Sequence, residues 1–200
     1  RDDRIAEAVL TEGTFTRAMR EQMLADSGDM IRLMTIGNTG GWRNFANTKR
    51  EIRSPADMEG LKIRTVVADL PQELVRSMGA SPTPIPWPEL FTSFQTGVVE
   101  GTQNGITDIM GMKFPDAGLK YLTLDGHSYM GALWYMNNDR FMGLDENLAE
   151  AQIDRCLQGV YRDWRIGLRA DDGREGAVQG SRSAGVRMVQ DQCSGRGNLL

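Results

Sequence analysis

The chain has 200 residues, and 23 basic against 27 acidic side chains leave a formal charge of −4, which argues against nucleic acid as a partner because no clustered basic face is present to neutralise phosphates. A hydrophobic fraction of 40% with 25% charged residues lies in the ordinary globular range, which excludes global disorder and allows one or two domains with a sizeable core. No run approaches the roughly 18 apolar residues that cross a bilayer, and no cationic segment followed by an apolar stretch opens the sequence, so neither direct membrane insertion nor an intact signal peptide is expected within it.

In residues 2–25, Ile5, Ala8, Val9, Phe15, Met19 and Met23 recur at three- and four-residue steps around Gly13, which predicts two short amphipathic helices. The sequence opens inside this helical pattern at Arg1, so the expectation is that a segment upstream has been removed. Residues 30–36 read as a buried strand, closed by Gly37-Asn38-Thr39-Gly40-Gly41 as a loop or hinge. Ser54-Pro55-Ala56-Asp57 starts a short capped helix that Gly60 stops. Residues 61–67 alternate as a strand, and residues 70–78 form a helix with Leu70, Leu74 and Met78 on one face. Prolines hold residues 81–86 extended, and Pro86-Trp87-Pro88-Glu89 opens a helix that ends at Gly97.

Val98 and Val99 start a short strand leading into a glycine-flanked loop that carries Asn104. Residues 106–120 mix helix and turn, and residues 121–136 hold two extended runs around Asp125-Gly126-His127. Residues 144–164 return to helical spacing, and beyond about residue 166 the apolar period decays. The segment 167–200 has the Arg, Gly, Ser and Gln bias of a flexible tail, a composition that an out-of-frame translation also gives. No internal repeat is found. Strands alternating with helices through the middle imply an α/β fold.

Much chemistry is excluded by counting. His127 is the single histidine, so a multi-histidine metal site is impossible, and Met130 spoils the nucleophile-elbow pattern begun by Gly126-His127-Ser128. A lone histidine beside a strand reads as a hydrogen-bonded structural residue before a catalytic base. Phosphate loops, dinucleotide fingerprints and C-x-x-C motifs are all missing, so no cofactor is expected. Cys156 and Cys193 are too few for a disulfide framework, and the sequence leaves one bridge between them open. What remains is a polar set suited to holding an anion. Arg64 ends a strand and faces opposite Ile63 and Thr65, Asn104 follows a strand, and Arg43-Asn44 lie between Trp42 and Phe45. Plain alternatives stand beside this reading: Arg64 paired with a surface acid, Asn104 filling a left-handed turn, and Trp42 or Trp87 in core or hinge packing.

Four stretches carry more information together. Arg50-Glu51-Ile52-Arg53-Ser54-Pro55-Ala56-Asp57-Met58-Glu59-Gly60-Leu61-Lys62-Ile63-Arg64 runs from a short capped helix into a strand ending Lys-hydrophobic-Arg. Gly79-Ala80-Ser81-Pro82-Thr83-Pro84, then Gln95-Thr96-Gly97-Val98-Val99-Glu100-Gly101-Thr102-Gln103-Asn104, then Lys120-Tyr121-Leu122-Thr123-Leu124-Asp125-Gly126-His127 follow in order. Across residues 30–150 the sequence thereby resembles the solute-binding proteins of tripartite ATP-independent periplasmic (TRAP) transporters, the organic-acid receptors of bacteria.

The resemblance implies an α/β, two-lobed periplasmic-binding-protein-like fold with one lobe incomplete. Residues 41–129 would form ligand-binding lobe II, residues 1–40 and 130–166 parts of lobe I and the hinge, and 167–200 an atypical tail. It implies a non-enzymatic periplasmic receptor that captures a small mono- or dicarboxylate and delivers it to membrane permease subunits. The family's ligand-pairing arginine falls on Arg64, its strand-end asparagine on Asn104, a second arginine on Arg43, and a cleft-facing aromatic or polar side chain on Trp87. Where the family usually has Glu-Asn-Pro, this chain has Gln103-Asn104-Gly105, which keeps the amide and loses the stiffening proline. An enzyme acting on a small carboxylic acid and a ligand-free interaction module are the rival classes.

Overall fold

A computed structural model of the chain describes residues 3–11, 13–145, 148, 151 and 187–190. The described residues divide into two compact units, one made of residues 3–41 with 129–151, the other of residues 42–128 with 187–190.

In the first unit, helices α1 (Asp3–Thr11) and α2 (Thr14–Asp26) fall where the three- and four-residue spacing puts them. Thr16 is fully buried at their junction, and its Oγ1 lies 2.9 Å from the carbonyls of both Val9 and Leu10, so the first turn of α2 satisfies the last carbonyls of α1. Strand β1 (Ile31–Asn47) begins here, where it buries Leu33, Met34 and Ile36, and its residues 42–47 belong to the second unit. The stretch 37–41, expected to close this strand, is part of it. Asn38 Oδ1 accepts the N–H groups of Gly40 at 2.9 Å and Gly41 at 2.6 Å, and Gly41 takes φ +72°. The side chain stands in for a ladder partner and the glycine absorbs the kink, so the chain continues extended instead of looping out.

The second unit is built on a sheet of order β3-β2-β4-β1-β5-β6, with β2 (Lys62–Thr65), β3 (Ser81–Pro84), β4 (Gly101–Gly105), β5 (Tyr121–Asn137) and β6 (Arg187–Gln190). β2 runs parallel to β3 and β4, while β4 pairs antiparallel with β1. Residues 55–58 form a single 3₁₀ turn, held by Asp57 Oδ2 accepting from the N–H of Arg53 at 3.0 Å and of Ser54 at 2.8 Å. Helices α3 (Asp69–Ser77), α4 (Leu90–Gln95) and α5 (Ile106–Gly111) link the strands, and α6 (Asn138–Met142) follows β5 in the first unit.

Two apolar clusters cover the two faces of this sheet. Phe45, Met58, Leu61, Ile63 and Val75 form one, and Ala46, Leu90, Phe94, Ile109, Phe114 and Leu122 form the other. Adjacent Phe45 and Ala46 fall in different clusters because successive strand residues point to opposite faces.

Four further expectations are corrected by these pairings. Leu70 is 81% exposed, whereas Leu74 and Met78 of the expected face do pack, partly buried, on the cluster that holds Val75, the fully buried residue of α3. Gly101–Gly105 is itself the strand, not a loop after one, since β1 and β2 flank it on both sides. Residues 121–137 form one continuous strand, with Gly126 at φ +53° taking up the interruption. Within the segment read as a flexible tail, Arg187–Gln190 pairs parallel with residues 121–124, a main-chain ladder that needs no apolar period. Cys156, Cys193, the rest of 167–200 and most of the 144–164 helical pattern lie outside the described residues. Among the described residues no helix is long and apolar enough to cross a membrane.

Close approach makes Gly101 sensitive. A Cβ there would meet Ile63 Cδ1 at 2.6 Å and the carbonyl oxygen of Ala46 at 2.7 Å, whereas one at Gly111 would meet nothing within 4 Å. Gly101→Ala should cost about 1 to 3 kcal/mol in urea denaturation, as overpacking does. Gly111→Ala should be neutral or gain up to about 1 kcal/mol by the same measurement.

Candidate functional site

The second unit buries a cation. Ile63 is fully buried among Met58 and Val75, so its neighbour Arg64 emerges on the opposite face of β2. Arg64 is only 4% exposed. Its Nε donates to the Ile85 carbonyl at 2.8 Å, and its guanidinium carbon lies 5.5 Å above the ring of half-buried Trp87. Trp87 in turn packs edge-on against Phe114, with centroids 5.4 Å apart. Its ring therefore serves core and cation at once. Among the described residues no carboxylate lies within ion-pair distance of Arg64, and Nε makes its only hydrogen bond. Burial pushes the Arg64 guanidinium below its ordinary range, and the charge of Arg43 pushes the same way. Arginine nonetheless stays charged at neutral pH.

Arg43 and Asn104 meet directly. In the β1–β4 register Arg43 stands opposite Gly105 and Asn44 opposite Asn104. Arg43 Nη1 donates to the Gln103 carbonyl at 3.0 Å and to Asn104 Oδ1 at 3.3 Å. Asn104 is 4% exposed and has no left-handed backbone, so the turn-filler alternative does not describe it. With its oxygen turned to Arg43, its amide nitrogen is left as a donor.

Asp108, on the first turn of α5, completes the charge pattern and was not among the residues the sequence singled out. It follows the end of β4 by three residues, and that end is the position paired with Arg43. The carboxylate is half-buried, and among the described residues nothing donates a hydrogen bond to it. Burial raises its carboxyl above the ordinary range, and the charge of Arg43 opposes that rise. The available signal was its place one turn after a central strand end, where α/β folds present ligand groups.

His127 has a structural part. Its Nδ1 lies 2.5 Å from Asp125 Oδ2, its Nε2 2.9 Å from Gln103 Oε1, and its ring stacks on Phe45 with centroids 4.4 Å apart. Asp125 Oδ1 accepts the Phe45 N–H at 3.0 Å, and Asn44 Oδ1 accepts the Gly126 N–H at 3.1 Å. These bonds tie β1, β4 and β5 together directly behind Arg43 and Asn104. No group of three His, Cys, Asp or Glu able to hold a metal occurs among the described residues.

Comparison with known proteins agrees with this architecture. Residues 1–163 match the family model described as bacterial extracellular solute-binding protein, family 7. A solute-binding protein of Verminephrobacter eiseniae is 34% identical over 151 residues, covering 76% of this chain and 44% of that protein. The 2,3-diketo-L-gulonate-binding periplasmic protein of Escherichia coli is 28% identical over 151 residues, covering 76% and 45%. Among solved structures, a TRAP periplasmic solute-binding protein from Polaromonas sp. JS666, bound to D-erythronate, superposes with a TM-score of 0.82 at 26% identity, covering 96% of this chain and 60% of that one. The chain thus spans less than half the length of these curated relatives.

The raised Asp108 carboxyl has a consequence for stability. The unfolded chain ionises this group at lower pH than the folded one does, so stability is lost as pH rises through and above the ordinary carboxylate range. Asp108→Asn should remove that loss. Urea denaturation should show the variant more stable than the parent at about pH 7 and equal to it at about pH 3, below the ordinary carboxylate pKa. Equal stability at both pH values would show that burial does not penalise the charge.

Proposed function

Because the chain belongs to family 7 of the bacterial extracellular solute-binding proteins, we propose that the Arg43–Arg64 site captures a small organic acid through its carboxylate, with no chemical step. The observation that carries this reading is Arg64, a buried guanidinium with no carboxylate partner among the described residues. Burying a charge without a counter-charge is costly, and a planar guanidinium held at Nε presents its remaining N–H fork to a carboxylate in bidentate geometry. Trp87 fixes the plane of that fork, while Arg43 adds positive charge and Asn104 a neutral donor. Relatives whose names or structures specify a ligand support the class, since 2,3-diketo-L-gulonate and D-erythronate are both oxygen-rich acids.

The rest of the reading follows from the family. Residues 41–129 act as the ligand-binding lobe, residues 1–40 and 130–166 belong to the other lobe and the hinge, and the receptor works in the periplasm with TRAP permease subunits as partners. The periplasmic names of its relatives and the shape shared with TRAP receptors support this. Against an enzyme stands the use of His127, the only histidine, whose two ring nitrogens are both engaged within the protein. A turnover assay on a panel of organic acids tests that point, and product formation would overturn it.

The binding test is mutational. Removing one partner of a buried, charge-assisted pair costs about 3 to 5 kcal/mol, so Arg64→Ala should weaken carboxylate binding about 100-fold or more in calorimetric or NMR titrations. Arg64→Lys should restore little of it, because an ammonium lacks the fork. Asn104→Ala should cost about tenfold, the scale of one neutral hydrogen bond. If Arg64→Ala bound within a few-fold of the parent, the site would lie elsewhere.

A further inference from the structure

The charges around Arg64 are unequal in a way that bears on which acid fits, an inference that rests on the carboxylate-receptor reading of the same site. Two guanidinium groups, Arg43 and Arg64, stand against one carboxylate, Asp108, on the helix that begins where β4 ends opposite Arg43. Arg43 is already committed to the Gln103 carbonyl and to Asn104 Oδ1, whereas Arg64 keeps its terminal N–H groups. Asp108 is the converse, a half-buried acceptor with no donor among the described residues. Its carboxylate leaves the group with a single net positive charge.

We infer that Asp108 is a specificity-determining residue, so that the site takes a monocarboxylate carrying hydroxyl or amino donors and rejects dicarboxylates. One carboxylate on Arg64 matches the net charge. A second carboxylate brought near Asp108 would meet a like charge in a partly desolvated setting, and its oxygens could not donate to it. A hydroxyl of a polyhydroxy acid can donate to Asp108 and so satisfies an acceptor that is otherwise left unpaired. Burial works against the charge of Asp108, a cost in stability of the kind that sites maintain for function.

The test uses the chain itself, with NMR titrations that read the arginine Nε–H and Asn side-chain amide resonances, a method that reaches weak binding. The probes are D-erythronate, butanoate and succinate, which share a carbon count and differ in hydroxyls and in charge. D-erythronate should bind about tenfold or more tighter than either of the others, the scale of a hydrogen bond to a charged group. Asp108→Asn should tighten succinate, weaken D-erythronate and bring the two to within a few-fold. Asp116→Asn, which removes the same charge at an exposed position, should leave the ranking as in the parent. Succinate binding as well as D-erythronate in the parent, with Arg64→Ala still abolishing both, would overturn the role of Asp108 alone, and so would a ratio unmoved by Asp108→Asn. Should none of the three acids shift the resonances, or should Arg64→Ala leave the shifts intact, the carboxylate-receptor reading would itself fail.

Discussion

A guanidinium held inside a sheet is the constraint around which the second unit is organised. Arg64 sits on a strand of four residues, Lys62–Thr65, whose other face buries Ile63 and Thr65 completely. Its one acceptor among the described residues, the Ile85 carbonyl, comes from the extended segment that prolines 82, 84 and 86 keep from folding into a helix. Trp87, next in the chain, lies under the guanidinium and is itself wedged against Phe114 in the core. Among the described residues the cation is thus oriented by backbone and aromatic contacts, and not by a counter-charge.

A second layer of polar groups makes that orientation rigid. β4, Gly101–Gly105, is buried along its whole length although none of its residues is apolar. Such a strand is tolerated only where its polar groups find partners. Gln103 meets His127, Asn104 meets Arg43, and Gly101 lets β1 and β2 approach closely. Asp125 then ties His127 to the β1 backbone at Phe45. Register between β1, β4 and β5 is therefore set by side-chain bonds as well as by the ladder, which fixes where Arg43 and Asn104 end up. Thr102 Oγ1, like the buried hydroxyls of Thr35 and Thr65, has no partner among the described residues.

Charge balance separates this site from a merely structural ion pair. A structural pair would bring each cation its own carboxylate at close range, as Arg53 and Glu51 do on the surface. Here Arg43 feels the charge of Asp108 while Arg64 feels only that of Arg43, and burial works against all three charges. An apolar set of similar volume would fold at lower cost, which is the physical ground for the proposed binding role.

Local patterns in the chain determined a good deal by themselves. The spacing of Ile5, Val9, Phe15 and Met19 placed α1 and α2, Ser54-Pro55-Ala56-Asp57 placed the capped turn, and the alternation through Ile63 turned Arg64 away from the apolar face. Each rests on interactions between residues close in sequence, which periodicity and capping rules capture. Long-range pairing decided the remainder. Gly37-Asn38-Thr39-Gly40-Gly41 and Asp125-Gly126-His127 carry every local mark of a loop, yet they remain strand because a kinked, positive-φ glycine keeps the chain in the sheet. Asn104 reads as a loop residue until its register partner Asn44 on β1 is seen beside it. Asp108 looks like one more first-turn acid, and only the β1–β4 register, which joins residues some sixty positions apart, brings the start of its helix beside Arg43. No local rule encodes a pairing across that distance, so the position of Asp108 after a strand end was legible in the sequence but its approach to Arg43 was decided by the assembled sheet.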